Sequence, residues 1–357
     1  MSTIKGEMIK GNEAIAEAAI RAGARFYAGY PITPSSEIME YMSWRMQEVG
    51  GAFVQAESEI AGINMIIGGS SCGVRSITAS SGPGISLKQE GMTTLSDEEL
   101  PAVVVNVVRY GNGIGTLLSA QCDYHRETRG GGNGDYKPLV YAPANLQEMV
   151  DTVQEAFDAA DYYRNPVMVV GDGMIGQMME PVELKPFVSK RQLAAKTWAT
   201  DGTKGNRKPN IINSLFLDPA KLEEHNIRLQ EKYKKIKENE AKAELFNMEN
   251  AQIVIVAYGT TSRIAKNAIE SLKEEGIEVG LIRPQTLWPF PDEAFKALPE
   301  TCKGLLTVEM SMGQMIDDVK LAVACRLPVE FYGRAGGMIP EPDAIAAKIK
   351  EMLGGVK

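Results

Sequence analysis

Gly29-Tyr30-Pro31-Ile32-Thr33-Pro34-Ser35-Ser36-Glu37 is the stretch on which the reading of this chain turns. Each proline fixes its own φ and biases the residue before it away from the α region. Ile32 and Thr33 are therefore expected to run extended between two rigid points, with the Thr33 hydroxyl aimed by the backbone. Ser35 and Ser36 offer hydroxyls to cap free N–H groups, and Glu37 places an acid near the positive end of a helix dipole. Taken alone, the stretch is a strand-to-helix corner. It gains meaning only if neighbouring corners carry chemistry that agrees with it.

The flanking sequence supplies such corners. Apolar spacing predicts helices over 12–22 and 36–49, with strands over 25–30 and 51–56. The second strand delivers Glu57-Ser58-Glu59 to a helix over 60–68. A strand over 74–79 opens into Ser80-Ser81-Gly82-Pro83-Gly84, followed by helical spacing over 85–95. Residues 102–108 are a nearly unbroken β-branched run, as expected of a strand buried on both faces of a parallel sheet, and Arg109 ends it. A long loop over 109–138, a helix over 145–162 and a strand over 166–171 complete the unit. The β–α alternation predicts an α/β domain over residues 1–185, with a parallel sheet covered by helices on both faces.

From 186 to 250 the pattern changes to a polar, Gly- and Lys-rich connector, then a highly charged helical stretch over 219–245, read as a solvated bridge. A second α/β domain is expected over 251–357, with strands at 253–258, 278–282, 304–309 and 329–332. At 357 residues, two domains are the default. The formal net charge of -8 argues against a nucleic-acid partner. No apolar run approaches the ~18 residues of a membrane span. The opening residues lack the apolar core of a signal peptide, so no membrane association and a cytoplasmic location are expected. The cysteines, Cys72, Cys122, Cys302 and Cys325, are too scattered for an iron–sulfur or zinc motif, and the histidines are only His125 and His225.

Two motifs fail on inspection. Gly171-Asp172-Gly173 looks like the metal-binding Gly-Asp-Gly of thiamine diphosphate enzymes, but the window for its completing Asn, residues 199–204, holds none. It is read as a turn, with no metal site. Gly111-Asn112-Gly113-Ile114-Gly115 misses the dinucleotide spacing by one residue. Glu59 is more promising. A carboxylate at a helix start can simply favour the dipole, worth about 0.3–1 kcal/mol. Its apolar neighbours Ile60, Ala61, Ile63 and Met65 should also desolvate it and raise its pKa, which suits a group that shares a proton with a ligand nitrogen. Thr33, Glu59, Ser81-Gly82-Pro83 and Arg109 all fall at carboxyl ends of predicted strands, where ligands bind in open α/β sheets.

These residues carry a resemblance. Tyr30-Pro31-Ile32-Thr33-Pro34-Ser35-Ser36, Glu57-Ser58-Glu59-Ile60-Ala61-Gly62, Thr78-Ala79-Ser80-Ser81-Gly82-Pro83-Gly84 and Leu100-Pro101 leading to Arg109 resemble the alpha subunit of 2-oxoacid:ferredoxin oxidoreductases. So do Ala257-Tyr258-Gly259-Thr260, Leu287-Trp288-Pro289-Phe290-Pro291 and Val308-Glu309-Met310-Ser311-Met312-Gly313-Gln314. The resemblance implies a thiamine diphosphate pyrimidine-binding domain followed by a transketolase C-terminal-like domain. It implies oxidative decarboxylation of a 2-oxo acid to an acyl-CoA and CO₂, with coenzyme A as co-substrate and ferredoxin as electron acceptor. Glu59 would hydrogen-bond the aminopyrimidine of the cofactor, with Ser81, Gly82 and Pro83 lining it. Thr33 and Arg109 would contact the substrate.

By the same resemblance, thiamine diphosphate is shared with a beta subunit that holds the diphosphate and its Mg²⁺. The iron–sulfur clusters lie on partners, and gamma and ferredoxin-like delta subunits complete the enzyme. Gln121-Cys122-Asp123-Tyr124 and Gly130-Gly131-Gly132-Asn133-Gly134-Asp135-Tyr136 look most like the branched-chain (2-oxoisovalerate) enzymes, with 2-oxoglutarate as the alternative substrate. Tyr110-Gly111-Asn112 departs from the Gly-Gly-Pro that the family places after its arginine. A non-catalytic scaffold that recruits the beta subunit, and a non-oxidative thiamine-dependent decarboxylase or synthase half, are the alternatives of other kinds.

Overall fold

The computed structural model describes residues 6–354. The first half alternates as β1 (Glu7–Lys10), α1 (Gly11–Arg21), β2 (Phe26–Gly29), α2 (Ser36–Glu48), β3 (Ala52–Gln55), α3 (Glu59–Ser71), β4 (Ser76–Ser80), α4 (Pro83–Leu87), α5 (Gln89–Asp97) and β5 (Ala102–Val108). There follow α6 (Tyr124–Arg129), β6 (Leu139–Tyr141), α7 (Leu146–Tyr163), β7 (Pro166–Asp172), α8 (Gly173–Gln177) and β8 (Met179–Val182). After an irregular segment come α9 (Pro219–Glu240), β9 (Ala243–Phe246), β10 (Ile253–Val256), α10 (Gly259–Glu274), β11 (Val279–Pro284) and β12 (Thr286–Trp288). The chain closes with β13 (Gly304–Glu309), α11 (Met315–Val323), β14 (Val329–Gly333) and α12 (Pro342–Gly354). Among the described residues no helix is long and apolar enough to cross a membrane.

The first sheet has seven strands in the order β12-β6-β7-β5-β4-β2-β3. Its strands are parallel except β12, which runs against β6. Strand β5 is buried at every position, as its Ala-Val-Val-Val-Asn-Val-Val sequence requires, between β4 and β7. Side-chain alternation divides its residues between two layers. Val103, Val105 and Val107 pack with α1, α2 and α7 through Ile15, Met42 and Val153. Val104 and Val108 pack on the other face, against Ile63 of α3 and Leu95 of α5.

The second sheet has five strands, β14-β13-β10-β11-β9, with β9 antiparallel at its edge. Its alternation is equally clean. Ile253, Ile255 and Leu281 face α10 and α12. Val254, Val256 and Ile282 join Val104 and Ile63 in the core shared with the first sheet. The two sheets are therefore joined by a common apolar layer.

Three elements differ from the sequence expectation. Residues 243–246, read as the end of the charged helix, form strand β9, because their register against Leu281–Pro284 gives them backbone partners. The charged stretch is helical only over α9, which buries a narrow stripe of His225, Leu229, Tyr233, Ile236 and Glu240. Residues 286–288 cross back to complete the first sheet as β12, and β1 pairs with β8 in a separate two-stranded sheet.

Candidate active site

Strands β5, β4, β2 and β3 are consecutive neighbours in the first sheet. Their carboxyl ends lead, respectively, to Arg109, to Ser81-Gly82-Pro83, to Thr33 and to Glu59. The topology thus sets all the candidate residues along one sheet edge.

The Thr33 corner is a turn, not an extended segment. Ile32 carbonyl oxygen accepts from Ser35 N at 2.9 Å and from Ser35 Oγ at 2.8 Å. The Thr33–Pro34 peptide is cis, which makes this a type VI turn. The Ser35 hydroxyl is engaged with Ile32 and makes no cap hydrogen bond to α2, contrary to the capping expected of it. Outside partners clamp the corner. Pro34 O accepts from Asn12 Nδ2 at 2.6 Å and from Gln177 Nε2 at 3.1 Å, and both amides also hold Glu37. Thr33 itself stays exposed, while its carbonyl accepts from Arg109 Nη1 at 2.8 Å.

Arg109 is 8% exposed. Its Nη2 donates to Ile114 O at 3.2 Å, and its Nε is buried with no hydrogen-bond partner among the described residues. The side chain lies against Gly82, where a Cβ would come within 3.5 Å of Arg109 Cγ. Gly82 has φ +43°, in the left-handed region that favours glycine.

Glu59 opens α3 and is 7% exposed. Ser58 caps the same helix, its Oγ accepting from Ala61 N at 3.2 Å. The Glu59 carboxylate makes no hydrogen bond among the described residues. A Cβ on Gly84 would sit 2.6 Å from Glu59 Oε1 and closer still to Ser80 Oγ, so only glycine lets these two side chains pack here. Ser80 Oγ and Ser81 Oγ are both buried without a partner. Successive contacts link Glu59 to Gly84, Gly82 to Arg109 and Arg109 to Thr33, with several buried polar atoms along the way left without partners among the described residues.

Sequence reasoning missed several residues here. Lys88 is fully buried, its Nζ 3.1 Å from Thr78 Oγ1 and 3.4 Å from the Glu59 carbonyl oxygen. Burial pushes its ammonium down to about 8, with the charge of Glu59 pulling the other way. A signal was present: Lys88 falls on the stripe of Ile85, Met92 and Leu95, all buried. Arg126 of α6 donates to Gly82 O at 2.9 Å and to Ser86 Oγ at 2.8 Å, bracing the glycine turn. It is held by Asp123 and Glu127, and Asn106 donates to both acids. Burial pushes the Glu127 carboxyl up to about 7, against the pull of Arg126.

The loop over 109–138 is stitched to the second domain. Gln121 N donates to Met310 O at 2.8 Å, and Gln314 Nε2 donates to Cys122 O at 2.6 Å. The Glu309–Gln314 stretch works as a joint: Glu309 accepts from Ser311 Oγ at 2.9 Å and from Gln314, Met315 and Ile316 N at 3.1 Å each. Asp172 of the Gly-Asp-Gly is likewise engaged. It caps α8 through Met174 N and Ile175 N at 2.9 and 3.3 Å and accepts from Thr260 N at 3.4 Å.

Comparison with known proteins agrees with this layout. Residues 17–248 match the family described as pyruvate flavodoxin/ferredoxin oxidoreductase, thiamine diphosphate-binding, and residues 251–345 match pyruvate:ferredoxin oxidoreductase core domain II. The ketoisovalerate oxidoreductase subunit VorB of Methanothermobacter marburgensis is 47% identical over 348 residues, 98% of each chain. A 2-oxoglutarate:ferredoxin oxidoreductase from Magnetococcus marinus, solved with 2-oxoglutarate, coenzyme A and succinyl-CoA bound, superposes with a TM-score of 0.86 at 27% identity. That match covers 97% of this chain and 65% of the other. A split-gene transketolase, at TM-score 0.61 and 14% identity over 98% of this chain and 99% of its own, shares the fold. The chain belongs to the thiamine diphosphate-binding family of pyruvate flavodoxin/ferredoxin oxidoreductases and is a subunit of a 2-oxoacid oxidoreductase.

Proposed function

We propose that this chain provides the pyrimidine-side half of a thiamine diphosphate site in a branched-chain 2-oxoacid:ferredoxin oxidoreductase. The observation that carries the reading is the buried Glu59, whose carboxylate has no hydrogen-bond donor among the described residues and packs on Gly84 beside the orphaned Ser80 and Ser81 hydroxyls. Those residues fit an aminopyrimidine, which needs a carboxylate for a ring nitrogen, polar partners for its edge and no side chain in its way. When bound, thiamine diphosphate supplies the carbanion chemistry that separates a 2-oxo acid from its carboxylate.

The chain's own residues bind and orient. Glu59 holds a proton at the ring nitrogen, and Gly82 and Pro83 shape the wall. Arg109 offers its unpaired Nε and its charge to the substrate carboxylate, having already spent two other nitrogens on the carbonyls of Thr33 and Ile114. Thr33, exposed on a clamped turn, presents its hydroxyl with little to reorganise. Asp172 is committed to α8 and Thr260, so the diphosphate and its Mg²⁺ fall to a beta subunit. Iron–sulfur clusters, ferredoxin and the gamma and delta subunits are further partners of the same assembly, with coenzyme A as acyl acceptor.

A branched-chain substrate is favoured over 2-oxoglutarate by two observations. The 47% identity is to a ketoisovalerate enzyme subunit. In addition, the loop that follows Arg109 exposes Ile114, Leu117 and Leu118, an apolar surface suited to an alkyl side chain. The test is acyl-CoA formation by the complex assembled with its partner subunits, comparing 2-oxoisovalerate, 2-oxoglutarate and pyruvate. Glu59→Ala is expected to abolish turnover with assembly intact, and full activity of that variant would overturn the reading. Preference for 2-oxoglutarate would overturn the substrate assignment alone.

A further inference from the structure

We infer that Lys88 is a positioning residue for Glu59: its buried ammonium holds the first turn of α3 through the Glu59 carbonyl and sets a positive charge close to where the cofactor ring would lie, and so bears on where the ring's proton sits. The inference rests on the reading of Glu59 as the aminopyrimidine contact. Lys88 is 0% exposed, and a bare ammonium in such a place is costly unless an opposite charge answers it. Its hydrogen bonds are to two neutral oxygens, Thr78 Oγ1 on β4 and the Glu59 carbonyl on α3. Among the described residues no carboxylate lies within ion-pair distance of it, and the acid whose charge bears on it is Glu59. The approach is built in from the helix side as well. Gly62 of α3 faces Lys88, and a Cβ there would already stand 3.4 Å from Nζ.

The physical consequence follows from charge. A positive charge beside the carboxylate and ring-nitrogen pair makes the pair release its shared proton more readily. Without that charge the pair holds the proton to higher pH. Lys88 is also the kind of group that a purely structural role would not retain. Replacing a buried charge by an apolar side chain of similar length is often neutral or stabilising. The lysine is therefore kept for the site, at a cost to the fold.

The experiment uses the assembled complex and four proteins: wild type, Lys88→Met, Lys88→Arg and Glu59→Gln. Thiamine diphosphate is titrated into each without substrate, and the near-ultraviolet circular dichroism of the bound aminopyrimidine is followed from pH 6 to 9. Lys88→Met is expected to move the ring titration up by about one pH unit and to weaken cofactor binding about tenfold, with Lys88→Arg returning both toward wild type. Its melting temperature is expected to match or exceed that of wild type. An unmoved titration with intact binding in Lys88→Met, while Glu59→Gln loses binding, would overturn this inference and leave the cofactor site standing. Undiminished binding in Glu59→Gln would overturn the cofactor reading itself. Should Lys88→Met fail to assemble, Lys88→Gln, which keeps a hydrogen-bonding side chain without the charge, is expected to shift the same titration; no shift in it would overturn the inference.

Discussion

Glu59 and Glu309 are the same side chain in nearly the same setting. Each is buried, and each stands where a parallel strand gives way to a helix. They differ in what holds them. Glu309 accepts a hydroxyl and three backbone N–H groups at the start of α11, so its charge is consumed by its own chain. Burial still raises its carboxyl above the usual range despite those four donors. Glu59 leaves the capping of α3 to Ser58, and its carboxylate has no hydrogen-bond donor among the described residues. A saturated carboxylate is a joint, and one left open is a handle. The lesson extends to the two sheet edges they occupy. The second edge locks a loop in place; the first holds Ser80, Ser81 and Arg109 atoms buried without partners among the described residues.

The contrast can be broken most sharply at Glu59. Glu59→Ala should lower turnover about 10³-fold, far beyond any loss of folded protein caused by leaving the Lys88 ammonium unanswered; activity that merely followed the folded fraction would make Glu59 a joint after all. Glu309→Ala should do the opposite. It strands four buried donors and should cost about 3 kcal/mol by denaturant unfolding, with residual activity following the folded fraction. Gly84→Ala comes next. Its methyl group would force Glu59 Oε1 and Ser80 Oγ aside, so cofactor affinity should drop about 30-fold, or about 2 kcal/mol, on top of an overpacking cost of about 1–3 kcal/mol in stability. Equal affinity in calorimetric titration would show that the space beside Glu59 is not the binding space.

The smallest effect concerns a third buried acid, Glu127, which is partly held and partly open. Burial raises its folded carboxyl to about 7 from an ordinary 4.5. Between those values the folded protein holds a proton that the unfolded chain has lost, so stability should fall as pH rises through that window. Glu127→Gln should flatten that decline by about 1 kcal/mol or more. Parallel stability–pH curves for variant and wild type would rule it out.

The parts of the fold legible in the sequence are those written locally. Strand β5 announces itself by seven buried residues in a row, and the corners carrying Thr33, Ser81 and Glu59 by their turn and helix-start residues. What was hidden depends on partners far along the chain. Nothing near residues 286–288 says that they pair with residues 140–141. Asn12 and Gln177 reach Pro34 only because the fold brings three distant segments together. The expected capping by Ser35 failed because a closer acceptor, the Ile32 carbonyl, takes its hydroxyl. Lys88 is the instructive miss. Its helical spacing placed it among buried residues, but a lysine reads as exposed until the cavity around it is seen.

Strand β12 has a consequence for how the molecule is made. The sheet that carries the Glu59 edge is finished only when residues 286–288 have crossed back to β6, after the first strands of the second domain have been synthesised. During translation β6 waits as an open border with unpaired backbone groups, the kind of border on which partly made chains adhere to one another. A chain cut after α9 would carry every residue of the candidate site and still lack its closing seam, so the two halves of this protein are separable on paper and inseparable on the ribosome.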